Sequence, residues 1–332
     1  MRIFFSLIIG IIHPLGYFPY MHPISLSPLY MERVWGGREL ENVYGRELPR
    51  PGTPYGESWE MTDRPEDQSI VSHGELKGRS LHELWQNQRD EIFGPGLPDC
   101  PRFPLLIKIL DARDKLSIQV HPPEGIAAEL GGEPKTEMWY IADARPNAKL
   151  YVGLKTGITK ADFEHAIKNG TVDQVVHAIT PKPGDSIFIP SGRLHAIGAG
   201  LLIYEIQQNS DTTYRVFDWN RMGLDGQPRV LHVENSMRCI DFDDIEPTMD
   251  QPDGSVLAHC SHFHVERVDT PMGTALNNPD PERFSIVTVV SGELESADGR
   301  RHIAGDFLLL PRHSTPLVAS RDSTLLQTTI SR

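Results

Sequence analysis

The sequence contains few cysteines, no long hydrophobic segment and no excess of positive charge. Its three cysteines among 332 residues are Cys100, Cys239 and Cys260. They lie far apart and form no C-x-x-C pattern, which argues against a disulfide scaffold or a zinc finger and fits reduced thiols in a cytoplasmic protein. Lys and Arg total 32 against 45 Asp and Glu, a net charge of -13 that argues against nucleic-acid or membrane-surface partners.

Several common catalytic and nucleotide-binding signatures are also absent. The chain contains no G-x-G-x-x-G, Walker A or G-x-S-x-G sequence, so nothing in it indicates a dinucleotide fold, a P-loop or a nucleophile elbow. Because the protein as a whole is acidic, an anionic small substrate would need a local basic pocket.

The N-terminal residues differ in composition from the rest of the chain. Residues 3–12 are almost entirely apolar, but this stretch is too short to span a bilayer as a helix. No A-x-A-like cleavage site follows, as a secretory signal would require. We therefore interpret residues 1–22 as a disordered or mis-started leader, with Met21 as the functional start.

Short β-rich segments separated by turns dominate the middle of the chain. Strands are predicted at Leu105–Leu110, Lys115–His121, Met138–Ala142, Ser186–Pro190 and Leu201–Gln207. Two short helices are predicted from capping boxes, in which Ser80 precedes Glu83 and Thr159 precedes Asp162 by three residues. Many short strands with few helices indicate a jelly roll or barrel rather than alternating βαβ units.

One short sequence pattern occurs twice. Gly184–Pro190 reads Gly-Asp, four mostly apolar residues and Pro, and Gly305–Pro311 repeats this pattern, which suggests duplication of a jelly-roll unit. An acidic, turn-rich stretch at residues 243–255 marks a boundary between the copies. We predict a catalytic domain at 23–245 and a degenerate second domain at 246–332 that lacks matching metal-ligating residues.

Four residues are candidates for a metal site. Alternation along a strand turns Gln119 and His121 to one face, while Glu137 opens a second strand and a turn delivers His195 to a third. Two imidazoles, a carboxylate and an amide oxygen suit zinc, although manganese, iron or cobalt would also fit. Each residue by itself could be an ordinary strand histidine or surface carboxylate, and only the combination indicates a metal.

Several further motifs along the chain occur together with these four residues, and their order is informative. The motifs are Trp35–Gly37, Gly56–Trp59, Pro104–Lys108, Gln119-x-His121, Lys135–Glu137, Pro190–His195, Asn209–Arg215 and His232-x-Glu234. In this arrangement the chain resembles the type I mannose-6-phosphate isomerases, zinc enzymes of the cupin superfamily, from about Ser27 to Phe242. One departure is Thr136, where longer members have proline.

The resemblance implies both a fold and a reaction. The fold would be mainly β, a cupin double-stranded β-helix with two tandem jelly-roll units and a few short helices. One zinc ion per chain would be held by Gln119, His121, Glu137 and His195. The enzyme would interconvert mannose 6-phosphate and fructose 6-phosphate through a metal-stabilised cis-enediolate, so that its partner is a phosphorylated hexose.

The resemblance also implies roles for five further residues. Arg215 would be the active-site arginine, although Asp211 or Asp218 could simply pair with it. Lys135 and Glu205 would line the pocket, and the proton carrier is left open between them and a metal-bound water. We expect burial and the metal to lower the pKa of Lys135.

Substrate binding is the last role that the resemblance assigns. Ser117 and Lys108 would help to hold the substrate, specifically its phosphate, although serine and lysine on strands often serve only packing edges and solvent. Their assignment depends on the family pattern alone.

Two alternative functions are compatible with the same residues. Two histidines and a carboxylate also describe non-haem iron oxygenases, although Gln119 argues against that class. Jelly rolls also occur in non-catalytic sugar-binding or sensing proteins, since fold alone does not imply function. The combination of the ligand set with Lys135 and Arg215 favours an enzyme. The oligomeric state is not predicted.

Overall fold

The computed structural model describes residues 21–331, so residues 1–20 of the predicted leader lie outside the described residues. Strands dominate the described part. The strands of the first two-thirds are β1 (Ile24–Ser27), β2 (Leu29–Gly37), β3 (Tyr55–Met61), β4 (Ile70–Val71), β5 (Leu105–Ala112), β6 (Ile118–Val120), β7 (Glu137–Ala144), β8 (Leu150–Leu154), β9 (Val176–Ile179), β10 (Ser186–Ile189), β11 (His195–Ile197), β12 (Leu201–Gln208) and β13 (Tyr214–Phe217). The remaining strands are β14 (Val256–His259), β15 (His264–Thr270), β16 (Ala275–Leu276), β17 (Ser285–Ser291), β18 (Glu293–Ser296), β19 (Arg301–Ile303), β20 (Phe307–Leu310), β21 (Leu317–Ala319) and β22 (Ser323–Thr329).

The helices of residues 21–331 are few and short. They are α1 (Glu39–Asn42), α2 (Leu81–Asn87), α3 (Glu124–Ala127), α4 (Lys160–Asn169) and α5 (Val233–Cys239), with a π-helical turn at Arg89–Phe93 and a 3₁₀ turn at Val172–Gln174. None of these helices has the length and hydrophobicity that a bilayer crossing requires. The prediction of a mainly β chain with a few short helices is confirmed.

Both predicted capping boxes are present. At the start of α2 the Glu83 amide donates to Ser80 Oγ at 3.1 Å, and the Glu83 carboxylate accepts from the Ser80 amide at 2.8 Å. Thr159 and Asp162 make the same reciprocal pair at the start of α4. Because a capping box satisfies amides that the first helical turn leaves unpaired, these helix starts are determined locally.

The predicted strand at Lys115–His121 is longer than the one observed. Strand β6 covers only Ile118–Val120, and it pairs with β11 and β13 on either side. Pro122 and Pro123 follow directly and cannot donate to a strand ladder, which ends the pairing at this point. His121 therefore lies just past the strand end.

Two sheets enclose the first core. The six-stranded sheet has the order β10-β7-β12-β5-β2-β3, and the five-stranded sheet has the order β13-β6-β11-β8-β9. Apolar side chains from both sheets, including Trp139 and Ile203 from the six-stranded sheet and Val152 from the five-stranded one, form one cluster between them. A second cluster joins the five-stranded sheet to α4 and α5 through Phe163 and Cys239. The five-stranded sheet is therefore covered on both faces.

The other face of the six-stranded sheet packs against the second half of the chain. Five strands of that half join β1 and β4 in a seven-stranded sheet, β14-β15-β22-β17-β20-β1-β4, and four others form a sheet of the order β16-β21-β18-β19. The first strand, β1, pairs with β20 and so belongs to the seven-stranded sheet. An aromatic group of Trp85, Phe93, Phe103 and Phe284 joins the two halves, while apolar residues such as Leu294 and Leu317 fill the interior of the second unit.

The repeated sequence pattern corresponds to a repeated turn in the structure. Gly184 and Gly305 have φ values of 92° and 89°, which lie in the left-handed region that favours glycine. Asp185 accepts a hydrogen bond from the backbone three residues earlier, and Asp306 does the same. The strands that follow are β10 and β20, so both copies of the pattern build the same turn before a strand. β10 lies at the edge of its sheet, whereas β20 lies between β17 and β1.

The six-stranded sheet is buried on both faces, and this makes its charged residues conspicuous. Every residue of β5 is buried, including Lys108, which is 3% exposed. Strand β12 is buried except at its last residue and carries Glu205, also 3% exposed. Burial of a charge is costly unless it is paired, so these two residues mark where polar contacts must lie within the core.

Candidate active site

The four proposed metal-ligating residues converge at one end of the space between the two sheets. His195 pairs with Gln119 across β11 and β6, and Glu137 opens β7 on the facing sheet. His121 Nε2 lies 3.5 Å from Glu137 Oε2, and His195 Nε2 lies 3.6 Å from Glu137 Oε1. These three side chains can offer ligand atoms that all lie within 4.8 Å of one another. The predicted convergence is therefore present.

Backbone carbonyls orient both imidazoles. His121 Nδ1 donates to the carbonyl of Thr212 at 2.8 Å, and His195 Nδ1 donates to the carbonyl of Arg193 at 2.9 Å. With the proton on Nδ1, the lone pair of each Nε2 faces the centre, as metal-ligating histidines require. Burial lowers the pKa of His121, and it lowers the pKa of His195 to about 3. Both rings are therefore neutral at pH 7.

The central atoms have unsatisfied hydrogen-bonding capacity. Within residues 21–331, His121 Nε2 and Glu137 Oε1 are buried and have no hydrogen-bond partner. Leaving buried polar atoms unpaired costs free energy, and such atoms usually have a partner. A divalent cation would satisfy the carboxylate and both imidazole nitrogens, so the residues fit a metal site.

Gln119 lies beside His195 but presents its amide nitrogen. Its Nε2 is 3.3 Å from His195 Nε2, while its Oε1 accepts from Ser117 Oγ at 3.1 Å. A half-turn about the last side-chain bond exchanges the amide oxygen and nitrogen. Gln119 Oε1 would then take the position beside His195, and Ser117 Oγ could accept from the amide nitrogen instead.

A row of side chains crosses the six-stranded sheet next to the metal-ligating residues. Trp59, Lys108, Glu205 and Trp139 are direct neighbours on β3, β5, β12 and β7, so their side chains share one face. The Trp139 indole donates to Glu205 Oε2 at 3.0 Å. Lys108 Nζ lies 3.6 Å from Glu205 Oε1. A purely structural Glu205 could bind a backbone amide. In this structure its carboxylate accepts a hydrogen bond from a side chain instead.

Lys135 connects this row to the metal-ligating residues. Its Nζ lies 3.1 Å from Glu137 Oε2 and 4.0 Å from Glu205 Oε1. Burial alone would lower the pKa of Lys135, but the nearby charges of Glu137 and Glu205 outweigh burial and raise it. The charges of the protein therefore act against the expected lowering of this pKa, which included the field of a bound metal. Without a metal, Lys135 is a cation at neutral pH.

The two carboxylates have opposite pKa shifts. Burial would raise the pKa of Glu137, but the positive charge of Lys135 outweighs it and lowers this pKa. Burial raises the pKa of Glu205, and the neighbouring charge of Glu137 raises it further. Different environments for two adjacent carboxylates are typical of sites that hold one as a permanent anion and use the other in proton transfer.

Arg215 reaches the same space from β13. It pairs directly with Gln119, so it belongs to the row that includes His195, and it lines a cavity of about 540 Å³. Asp218 pairs with Arg221 and Arg229 instead. Within the described part of the chain the Arg215 guanidinium has no hydrogen bond or ion pair.

The cavity brings the predicted residues together and adds others. Its lining includes Ser117, Gln119, Lys108, Lys135, Glu205 and Arg215, and also Glu57, Arg33 and Arg229, for which the sequence indicated no role. Glu57 could have been found, because it is a charged residue in a buried strand, β3. Arg33 and Arg229 carry no comparable signal. Arg33 lies on the half-buried part of β2 and Arg229 in the loop after β13, and arginines at such positions are usually solvated.

Comparisons with known proteins agree with this geometry. Residues 24–137 match the family model described as phosphomannose isomerase type I, catalytic domain. The mannose-6-phosphate isomerase ManA of Bacillus subtilis is 36% identical over 301 residues, which cover 87% of this chain and 93% of the relative. The mannose-6-phosphate isomerase of Streptococcus mutans is 35% identical over 301 residues, which cover 87% of this chain and 92% of the relative.

Solved structures extend the comparison to the fold. The crystal structure of mannose 6-phosphate isomerase from Bacillus subtilis matches with a TM-score of 0.83 and 33% identity, covering 93% of this chain and all of that one (100%). The apo form from Salmonella typhimurium matches in fold with a TM-score of 0.71 at 16% identity, covering 94% of this chain and 100% of that one. The expected cupin fold is confirmed, and the chain belongs to the type I phosphomannose isomerases, the family of mannose-6-phosphate isomerases.

Proposed function

We propose that this chain interconverts mannose 6-phosphate and fructose 6-phosphate with one zinc ion held by Gln119, His121, Glu137 and His195. The observation that carries the proposal is the convergence of two neutral, backbone-oriented imidazoles on the buried carboxylate of Glu137, whose Oε1 has no hydrogen-bond partner within residues 21–331. Nitrogen and oxygen donors of this kind suit zinc, and a five-coordinate ion would leave a position for substrate beside the four side chains. When bound, the ion supplies Lewis-acid stabilisation of negative charge on the substrate oxygens.

The reaction moves a proton between C1 and C2, and its difficult step is the formation of a cis-enediolate. Arg215 is suited to stabilise that anion, because its guanidinium lines the cavity beside Gln119 and has no partner within the described chain. A guanidinium keeps its charge at any working pH and can hold two oxygens in a planar fork. Lys135 adds a second positive charge from the opposite sheet.

Glu205 is the residue best suited to carry the proton. Its raised pKa brings the carboxyl closer to the range in which it can both accept and give a proton near neutrality. The Trp139 indole holds Oε2, while Oε1 is buried and makes no hydrogen bond to residues 21–331. Lys135, with a raised pKa, is better suited to hold charge than to act as a base.

The remaining proposed residues bind and orient the substrate. Ser117 and Lys108 both line the cavity, and Ser117 Oγ also contacts the Gln119 amide. The hydroxyl and the ammonium can donate to sugar oxygens, so that binding energy from the body of the sugar places C1 and C2 next to the metal site.

We keep the division into a catalytic domain at 23–245 and a second domain at 246–332 as part of this proposal. All the residues with proposed catalytic roles lie in the first segment. In the second, the space between the sheets is filled by apolar side chains such as Val287, Leu308 and Leu325. An interior of apolar side chains offers no ligand for a metal ion, which supports a structural role for residues 246–332.

The decisive experiment combines metal analysis with a coupled isomerase assay on the purified protein. We expect about one zinc per chain, loss of activity after chelation, and recovery when zinc is added. His195→Ala should lose both the metal and the activity. The control is His177→Ala, because His177 lies on β9 and does not line the cavity.

The same assay separates the alternative functions. Binding of mannose 6-phosphate without turnover would favour a sugar-binding protein, and turnover that requires oxygen would favour an oxygenase. Full activity in metal-free protein would refute the proposed metal site. We expect turnover to be unchanged under anaerobic conditions, because an isomerisation consumes no oxidant.

A further inference from the structure

Two histidines in the second half of the chain face each other across a hairpin. Strands β14 and β15 are joined by a turn at residues 260–263, and His259 pairs directly with His264. The Cys260 amide donates to the Phe263 carbonyl at 3.0 Å, so the next pair, His259 with His264, occupies a non-hydrogen-bonded position of the ladder. Such pairs bring their side chains closest together.

The two imidazoles present a pair of nitrogens at the spacing of metal ligands. His259 Nδ1 lies 3.2 Å from His264 Nδ1, and the two ring planes are inclined to each other by 74°. Two nitrogens that each lie about 2.0 to 2.1 Å from a tetrahedral zinc ion are roughly 3.3 to 3.4 Å apart. One ion can therefore bind both nitrogens with little movement of either side chain.

Glu266 is positioned to orient one ring of the pair. It lies two residues after His264 on β15, and its Oε1 is 3.7 Å from His264 Nε2 and accepts from Ser255 Oγ at 2.9 Å. A carboxylate on this side of the ring favours a proton on Nε2, which leaves the Nδ1 lone pair directed at His259. Carboxylates commonly orient metal-ligating histidines in this way.

Without a metal, the same two nitrogens share a hydrogen bond. With the Nδ1 lone pair of His264 as the acceptor, His259 Nδ1 carries the proton and donates. A metal ion requires a lone pair on both nitrogens, so the proton of His259 must move to its Nε2 when the ion binds. Because His259 is exposed, water can accept a hydrogen bond from Nε2 after this change, and no buried group is left unpaired.

The surroundings of the pair suit a hydrated cation. Both histidines line a pocket of about 260 Å³, together with two carboxylates, Glu266 and Asp280, and one guanidinium, that of Arg283. The negative charges outnumber the positive one, which favours a cation. Among residues 21–331 no third His, Cys, Asp or Glu side chain forms a metal-binding group with this pair. Water would therefore fill the remaining positions around the ion.

We propose that His259 and His264 form a second site for a divalent transition metal, with their Nδ1 atoms as ligands and Glu266 as the group that orients His264. Imidazole pairs suit zinc, copper or nickel. Two protein ligands hold an ion less tightly than four, so this ion exchanges with solution and is removed by dialysis. When bound, it links the edge strand β14 to β15 and stabilises the folded protein. This inference does not depend on the proposed function.

The test is calorimetric titration of the zinc-loaded protein with zinc chloride, after dialysis against metal-free buffer. We expect the unmodified protein to bind one further zinc ion per chain at the histidine pair. His259→Ala and His264→Ala each remove a ligand, and should weaken this binding by at least about 100-fold, more than the loss of an orienting partner costs. Glu266→Gln should weaken it by about tenfold, because the ligands remain and only the orientation of His264 is lost.

The matched control is His262→Ala in the same hairpin turn. The Nε2 of His262 lies 4.0 Å from Glu124 in the first half of the chain, and His262 does not line the pocket of the pair. This variant should therefore bind the further zinc ion with unchanged affinity. None of the three histidines lines the active-site cavity, so unchanged kcat and KM with mannose 6-phosphate would show that all three alanine variants are folded.

Thermal unfolding at increasing zinc concentration provides a second measurement. The melting temperature of the zinc-loaded protein should rise with free zinc, and it should rise less in His259→Ala, because an ion that binds only the folded state stabilises it by mass action. Three results would overturn the inference: no further zinc uptake by the zinc-loaded protein, unchanged affinity in both His259→Ala and His264→Ala, or an equal loss in His262→Ala. Zinc binding at the pair in a protein without isomerase activity would refute only the proposed function.

Discussion

Replacing Lys108 by methionine should strongly destabilise the protein. Methionine has a similar length and is apolar, so the change removes the ammonium with little loss of volume. The side chain is 3% exposed on a strand that is buried throughout. Glu57 and Glu205 would be left in the core without one of their main counter-charges, since each lies 3.6 Å from Lys108 Nζ.

The expected magnitude follows from these distances. At an effective dielectric constant of about 20, each contact contributes about 4 to 5 kcal/mol of Coulomb attraction. Desolvation of the three groups offsets much of this gain. Removal of one partner from a buried ion pair costs about 3 to 5 kcal/mol, because an uncompensated charge remains. We expect a loss of that size for Lys108→Met.

Chemical denaturation of three variants would measure this effect. Lys108→Met should show the full loss, and the double variant Lys108→Met/Glu205→Gln should recover a substantial part of it, because the second change removes an orphaned charge. Lys77→Met is the control, since Lys77 is exposed, and it should change the free energy of unfolding by less than about 0.5 kcal/mol. A loss below about 1 kcal/mol for Lys108→Met, or a double variant no more stable than the single one, would refute the reasoning.

Three further predictions follow from single contacts. Trp139→Phe removes the indole N–H that binds Glu205 Oε2, so kcat should fall at least about tenfold with KM nearly unchanged in steady-state assays; an unchanged kcat would show that Glu205 needs no such support. Burial lowers the pKa of His302 to about 4, so the unfolded chain binds a proton between about pH 6.5 and pH 4 and the folded chain does not. The free energy of unfolding should therefore decline by roughly 2 to 3 kcal/mol as pH falls through this window. His302→Gln should show a smaller decline when the two proteins are compared by denaturation at each pH, and parallel curves would contradict the assignment. Thr136→Val removes the hydroxyl that accepts from the Ser191 amide at 3.2 Å, and should cost about 1 kcal/mol; an equal denaturation midpoint would mean that this bond contributes nothing.

The structure bears out the sequence most closely where an interaction is local. The capping boxes at Ser80 and Thr159 involve residues three positions apart, so their geometry depends on little else. Gln119 lies on β6 and His121 just past its end, so strand alternation by itself does not account for their convergence. The strand end at Val120 was harder to predict, because a strand's length depends on its partners as well as its own residues.

The contacts between the charged residues of the site were not predictable from the sequence. The pKa of Lys135 was expected to be lowered by burial and a bound metal, and the charges of Glu137 and Glu205 next to it act in the opposite direction. Glu205 belongs to another strand, and its distance from Lys135 follows from how β12 pairs with β7. Arg33 and Arg229 were missed altogether. Arg33 reaches the cavity from β2 and Arg229 from the loop after β13, and both positions depend on the packing of segments far apart in the chain.

By itself, the sequence determined the β-rich architecture, the helix starts and the candidates for a metal site, because these depend on periodicity, short-range hydrogen bonds and chemically distinctive side chains. Only the tertiary structure decided which charges face each other: that Lys108 is shared among three carboxylates, that Arg215 has no partner within residues 21–331, and that two arginines line the exposed part of the cavity. The physical reason is that electrostatic energies depend on distance and burial, and both are set by the packing of segments far apart in the chain.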